Sequence, residues 1–152
     1  MSQPTRLTGA QETSLAIAAA VVTANAYYIH PIIAEVADYF GVSHSRIGLV
    51  PALNQIALAV GIFLLLPLGD RISNRRLTIT FAAGQAASIA LMAIAQGFTL
   101  FVIGSTMLGF FTIAPYLLPA YASKRVAPER LGQVTAKLAA GVILGILIAR
   151  VG

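Results

Sequence analysis

Two sets of polar side chains recur at helical spacing within otherwise apolar sequence. Thr23, Tyr27 and His30 stand at positions i, i+4 and i+7, which lie on one face of a helix. A second face of the same kind carries Ser105, Thr112 and Tyr116. Aromatic rings with hydroxyl groups offer both apolar surface and directional hydrogen bonds, so these faces could bind small amphipathic molecules. The alternative is that the hydroxyl groups form hydrogen bonds between helices. His30 could in addition carry a proton near neutral pH, and Pro31 after it is expected to kink the helix.

The charged residues form a second pattern. A run of 23 residues without Asp, Glu, Lys or Arg, from position 47 to 69, is followed within seven positions by Asp70, Arg71, Arg75 and Arg76. One acid with three bases directly after a long apolar run is typical of a short loop that leaves a membrane on its cytoplasmic side.

The composition indicates which solvent surrounds the helices that carry these residues. The chain has 152 residues, of which 58% are hydrophobic and only 10% charged, and its mean hydropathy is +0.85. A soluble domain is about 25% charged, so this chain is predicted to lie in a membrane. The net charge of +5 is spread over short clusters between apolar runs, which excludes a nucleic-acid-binding face. The chain has no cysteine, and neither a metal-ligand cluster, a nucleophile–base pair nor a phosphate-binding loop is visible, so we expect no metal, no cofactor and no enzymatic activity.

The uncharged runs predict five membrane-spanning helices. A helix needs roughly 20 apolar residues to cross a bilayer, and the 47-residue run between Arg76 and Lys124 must therefore fold back on itself, at the turn 95–99. Lipid offers no partner for unpaired backbone groups, which favours helices as the spanning elements. The predicted fold class is an all-α polytopic helix bundle, with a tail at residues 1–12 and a transmembrane domain at 13–152 whose spans are about 13–36, 47–69, 77–96, 98–123 and 132–151. The third span is rich in alanine and glycine and predicts tight packing.

The distribution of basic residues predicts the orientation. Eight of the ten bases fall in the N-terminal tail, in the second and fourth loops or at their edge, so the N-terminus is expected in the cytoplasm of a cell with an inner membrane. The small residues 24–26 after an apolar run also resemble a signal-peptide cleavage site. Glu12 close to the apolar run, and the apolar residues that continue to Ile33, favour a membrane span instead.

Three regions in order resemble the major facilitator superfamily of transporters. The stretch Leu68-Gly69-Asp70-Arg71-x-x-x-Arg75-Arg76 resembles the signature of the loop between the second and third spans of that family. Residues 24–50 are similar to the first span and first outer loop of bacterial drug- and sugar-efflux members, and residues 128–150 to their fourth loop and fifth span. Members usually have twelve spans in two six-helix halves, so the chain is similar to most of an N-terminal half.

The resemblance implies roles for particular residues. Asp70 would latch onto the N-terminus of a helix from the other half, Arg71 would pair with Glu129, and Arg75 and Arg76 would set the topology. The first and fourth spans would line the substrate cavity, to which we assign Thr23, Asn25, Tyr27, His30, Gln55, Ser105, Thr112 and Tyr116. Gln55 is preferred over its neighbour Asn54 because similar members often carry glutamine there.

Two departures from the family pattern bear on the mechanism. Ser105 stands where many proton-coupled members have an arginine, and Ile146 replaces the proline that follows Gly141-x-x-x-Gly145 in the antiporter signature. Proton antiport is therefore not supported, and Gly141 and Gly145 are expected to form a close-packing face.

The resulting hypothesis is a secondary transporter that exports drugs, sugars or metabolites. The chain would be an N-terminal fragment that needs the missing C-terminal half, the lipid bilayer and a small-molecule substrate as partners, and that does not transport alone. The alternative is a complete five-span membrane subunit that acts in interaction or assembly.

Overall fold

A computed structural model describes residues 7–65, 67 and 72–151. Within these ranges every regular element is a helix and no strand occurs. The helices are α1 (Gly9–Tyr27), α2 (Ile33–Phe40), α3 (His44–Ile47), α4 (Leu49–Leu65), α5 (Asn74–Ala93), α6 (Phe98–Phe111), α7 (Ala114–Ser123) and α8 (Pro128–Val151). The prediction of an all-α bundle is confirmed.

Three segments of the described chain are long and apolar enough to cross a membrane, namely His44–Leu65, Phe98–Pro119 and Pro128–Val151. Helices α1 and α5 have 19 and 20 residues, which is enough length for a span, but their composition is less apolar. Five spans therefore remain a prediction. Many large apolar side chains point outward, such as Phe63 at 81% exposure, as expected where lipid covers the bundle.

Proline accounts for the break between α1 and α2. Pro31 has no N–H group, so the carbonyl of Tyr27, one turn earlier, cannot accept the usual helical hydrogen bond. That carbonyl instead accepts bonds from the backbone N–H of His30 and from its ring nitrogen Nδ1, each at 3.1 Å. Residues 28–32 form turns, and the chain resumes as α2 until Gly41, whose φ of +61° ends the helix.

A second break separates α6 from α7. Pro115 cannot donate to the carbonyl of Phe111, and the backbone leaves the helical conformation at Thr112, whose ψ is 43°. The bonds Thr112 N–H to Gly109 O at 3.1 Å and Tyr116 N–H to Ile113 O at 2.8 Å connect the two segments. Both breaks thus lie beside residues of the two predicted cavity faces.

The helices pack in pairs, most extensively α1 with α8, α4 with α6, and α5 with α6. Glycines allow these close approaches: a Cβ atom placed on Gly109 would collide with the backbone of Asn54, and one on Gly61 would lie 2.7 Å from the carbonyl oxygen of Phe110. Within the described ranges, buried apolar residues form three clusters. One joins α2–α4 to α6 around Ile47 and Val50, one joins α1, α7 and α8 around Val134 and Leu138, and the third surrounds Ile113.

Candidate functional site

The first-span face lies on α1 and on the turn that follows it. Thr23 is buried, and its hydroxyl has no hydrogen-bond partner in the described part of the chain. The ring of Tyr27 stacks on that of His30, with 5.3 Å between centroids and 23° between planes. Because a carbonyl can only accept, the bond to Tyr27 requires the hydrogen of His30 on Nδ1. Asn25 on the same helix is half-buried.

The fourth-span face contains one buried pair of side chains and one exposed ring. Ser105 is fully buried and its hydroxyl also lacks a partner among the described residues. Thr112 donates its hydroxyl hydrogen to the carbonyl of Leu108 at 2.6 Å. Tyr116 is 45% exposed and lies on α7, which packs against α1. The two predicted faces therefore lie on helices that contact each other.

Asn54 connects the second span to this face. Its side-chain Nδ2 group donates to the backbone carbonyl of Ser105 at 2.8 Å, while its Oδ1 atom has no partner within the described ranges. Gln55, which the family resemblance favours, is half-buried. Asn54 thus bonds to the fourth span, whereas the sequence had favoured its neighbour Gln55.

Gln85 on α5 was not singled out in the sequence, yet it connects three spans. Its Nε2 group donates to the hydroxyl of Thr112 at 2.9 Å and to the backbone carbonyl of Val22 at 3.3 Å. Gln85 is buried, and a buried amide in lipid is costly unless it is hydrogen-bonded. A polar residue inside the apolar third span was the available signal, but the small residues around it led to an interpretation of packing alone.

A second polar centre lies at the start of α1. The side chain of Glu12 is fully buried, and each carboxylate oxygen accepts from one cation of α8: Arg130 Nη2 at 2.8 Å and Lys137 Nζ at 3.2 Å. The side chains of both cations are 51% exposed. Glu12 is separated from its partners by 118 and 125 positions, so no sequence motif shows the group.

The cytoplasmic loop residues are described only in part. Asp70 and Arg71 lie outside the described residues, and with them the predicted pairing of Arg71 with Glu129. Arg75 and Arg76 are exposed in the first turn of α5, and Glu129 is exposed in the first turn of α8. Gly141 and Gly145 face α1, where added Cβ atoms would collide with the backbone at Ala16 and Ala20.

The sequence of the chain matches the family model of the Major Facilitator Superfamily over residues 15–151. The chain belongs to this superfamily. The resemblance inferred from the loop signature is thereby confirmed. Together with the apolar helices, membership in the superfamily identifies the chain as part of a multi-pass membrane protein.

Two curated relatives of this superfamily chain are named as transporters. YgaY of Escherichia coli O157:H7, an uncharacterized transporter, is 29% identical over 136 residues, which are 90% of this chain and 34% of the relative. The protein named "Probable transporter SCO4007", from Streptomyces coelicolor, is 26% identical over 137 residues, 90% of this chain and 32% of the relative. The chain thus spans about a third of the length of the curated relatives it matches. No solved structure matches the chain.

Proposed function

We propose that the chain is the N-terminal part of a secondary transporter that exports small solutes such as drugs, sugars or metabolites across a bacterial inner membrane. Membership in the superfamily and the transporter names of its relatives support transport. The N-terminus lies in the cytoplasm in this proposal, because eight of the ten bases then face that side.

The observation that carries the proposed substrate path is a set of unpaired polar atoms within the bundle. Thr23 Oγ1, Asn54 Oδ1 and Ser105 Oγ belong to the first, second and fourth spans, are buried, and have no partner within the described ranges. A buried polar group without a hydrogen bond costs about 1–3 kcal/mol. Groups retained at that cost are suited to bind a polar group of a solute.

The tyrosines supply apolar ring faces and hydroxyl groups to the proposed path. Tyr27 and Tyr116 lie beside the two helix breaks, on α1 and α7, which pack against each other. Broken helices at mid-membrane expose backbone polar groups and are common at transporter binding sites. With His30 stacked on Tyr27, this group would hold an amphipathic solute between aromatic faces. Asn25, Gln55 and Thr112 complete the proposed lining.

The second half of the transporter is the proposed partner of the chain. The curated relatives are about three times as long, which leaves room for such a half. Asp70 would then latch onto the N-terminus of one of its helices and Arg71 would pair with Glu129, as the loop signature implies. Expressed without that half, the 152-residue chain is expected not to transport.

The test measures export by the complete coding sequence in bacterial cells and everted membrane vesicles, with a panel of amphipathic dyes, labelled sugars and metabolites. We expect export of at least one of these solutes. Tyr27→Phe removes one hydroxyl and keeps the stacked ring, and should lower solute affinity about three- to tenfold, the value of one hydrogen bond. Tyr28→Phe, at an exposed neighbouring position, is the matched control.

Two results would contradict the proposal. The first is the absence of solute flux with every member of the panel. The second is equal affinity in Tyr27→Phe and Tyr28→Phe, which would remove the first-span face from the substrate path while leaving transport itself in place.

A further inference from the structure

We propose that Glu12 is a positioning residue that sets the register of α1 against α8. The inference concerns how two helices are aligned, and it does not depend on the proposed substrate or direction of transport.

The contacts between α1 and α8 repeat at a constant offset. Glu12 binds Lys137, 125 positions away. The same offset relates the next two contacts along the helices, Ala16 with Gly141 and Ala20 with Gly145, and each step advances by four residues on both helices. One turn further, the same offset places Ala24 opposite Ala149, and both residues are buried. The α1–α8 interface is therefore a ladder of paired residues, with three observed rungs and a fourth that the offset places at Ala24 and Ala149.

Three of these rungs distinguish one register from another only in part. They consist of alanine and glycine, and a shift by one turn would again place an alanine opposite a glycine, Ala16 opposite Gly145 in one direction or Ala20 opposite Gly141 in the other. The bond from Gln85 to α1 does not fix the register either, because it is accepted by the backbone carbonyl of Val22, and every residue of α1 has such a carbonyl.

The contact at Glu12 differs from the other three because its carboxylate binds cations at two positions along α8. Arg130 and Lys137 are seven residues apart, about 10 Å along the helix axis, and each binds a different oxygen. A shift of α1 by four residues in either direction moves the carboxylate about 6 Å away from at least one cation. Since the side chain of Glu12 is fully buried, losing a partner there is costly. A single polar group can specify the register of an otherwise uniform helix pair.

The register matters for the candidate site because α1 also carries Thr23 and Tyr27. A one-turn shift would move these side chains by about 6 Å relative to Thr112 and Tyr116. Glu12 would thus act on the site at a distance, through the position of the helix.

Cysteine cross-linking can measure the register directly, because the chain contains no cysteine of its own. Ala149→Cys is combined with one of three α1 variants in the full chain, in native membranes. Ala24→Cys reports the observed register, and Ala20→Cys and Tyr28→Cys report shifts by one turn in the two directions. With Glu12 intact, we expect disulfide formation with Ala24→Cys and at most trace formation with the other two.

Glu12→Gln should raise the yield of the shifted pairs about tenfold or more. Glu12→Asp keeps the charge and should restore the observed register. Glu35→Gln removes an exposed carboxylate from the first turn of α2 and should leave the cross-linking yields unchanged. Lys137→Gln should favour the disulfide between Tyr28→Cys and Ala149→Cys, because Glu12 then moves toward Arg130. Arg130→Gln should favour the disulfide between Ala20→Cys and Ala149→Cys, because Glu12 then moves toward Gly141.

If Glu12→Gln does not accumulate in membranes, Arg130→Gln and Lys137→Gln still test the proposal. Both side chains are half-exposed, so their replacement leaves the core intact. The proposal is overturned if the yields of the shifted pairs do not rise in Glu12→Gln. Where that variant is absent from membranes, it is overturned if they rise in neither Arg130→Gln nor Lys137→Gln. The register would then be set by the apolar cluster around Val134 and Leu138.

Discussion

Gly109→Ala should separate the second span from the fourth. At this crossing of α4 and α6, an added Cβ atom would collide with the backbone of Asn54, so the two helices must move apart. Adding a methyl group to a fully packed interface costs about 1–3 kcal/mol. The displacement also weakens the bond from Asn54 Nδ2 to the carbonyl of Ser105, worth about 1 kcal/mol.

Alanine also brings a gain at this position. It favours a helix over glycine by about 1 kcal/mol, which offsets roughly the value of the lost hydrogen bond. The net expectation is a loss of about 1–3 kcal/mol in the free energy of unfolding. Gly132→Ala on α8 is the matched control, since nothing lies within 4 Å of its added Cβ atom. The control should be neutral or stabilising by up to about 1 kcal/mol.

The assay is reversible unfolding in mixed micelles, followed by far-UV circular dichroism because the chain contains no tryptophan. Gly109→Ala should lower the free energy of unfolding, and Gly132→Ala should leave it unchanged or raise it. If Gly109→Ala proves as stable as Gly132→Ala, the close approach at Asn54 does not limit the packing of α4 against α6, and the reasoning is refuted.

Three further predictions follow from the described contacts. Gln85→Leu should lower the free energy of unfolding by about 1–2 kcal/mol, because it removes the hydrogen bonds to Val22 and Thr112. Gln96→Leu, at an exposed turn, should be neutral in the same assay. Equal stabilities of the two variants would count against a stabilising role of these two hydrogen bonds. Pro31→Ala supplies an N–H group for the carbonyl of Tyr27 and should slow amide hydrogen exchange at residues 28–32; unchanged exchange would mean that proline does not cause the break. A single cysteine at Ser43 should react with an impermeant maleimide in intact cells and one at Ser73 only after permeabilisation, and the reverse pattern would invert the topology.

The helical class of the fold followed from the sequence because lipid imposes it. Long uncharged runs leave few alternatives to helices, and the confirmed bundle rests on that constraint. The break at Pro31 was also predictable, because proline acts on a carbonyl fixed by position. The break at Thr112 and Ile113 has the same cause in Pro115, but the continuous apolar run from 98 to 123 concealed it. The sequence therefore allowed prediction of a contact wherever both partners lie within one helical turn of each other.

Contacts between side chains on different helices could not be predicted from the sequence, since they depend on which helices are neighbours. Gln85 meets Thr112 27 positions later and Val22 63 positions earlier, and no periodicity relates these positions. The choice between Asn54 and Gln55 depends on how α4 is rotated about its axis, which its almost uniformly apolar sequence does not specify.

Four buried polar residues of this bundle lie in two kinds of environment, and the difference bears on where a solute would bind. Glu12 and Gln85 have their hydrogen-bonding partners on neighbouring helices, so their burial is compensated and they hold the helices in place. Thr23 and Ser105 have no such partner for their hydroxyl groups in the described part of the chain, and their burial is uncompensated. A substitution of the first kind should therefore change stability or register, whereas Thr23→Val or Ser105→Ala should leave stability unchanged or raised and change the affinity for a solute. Loss of stability in both latter variants would place their hydroxyl groups among the structural bonds of the bundle instead.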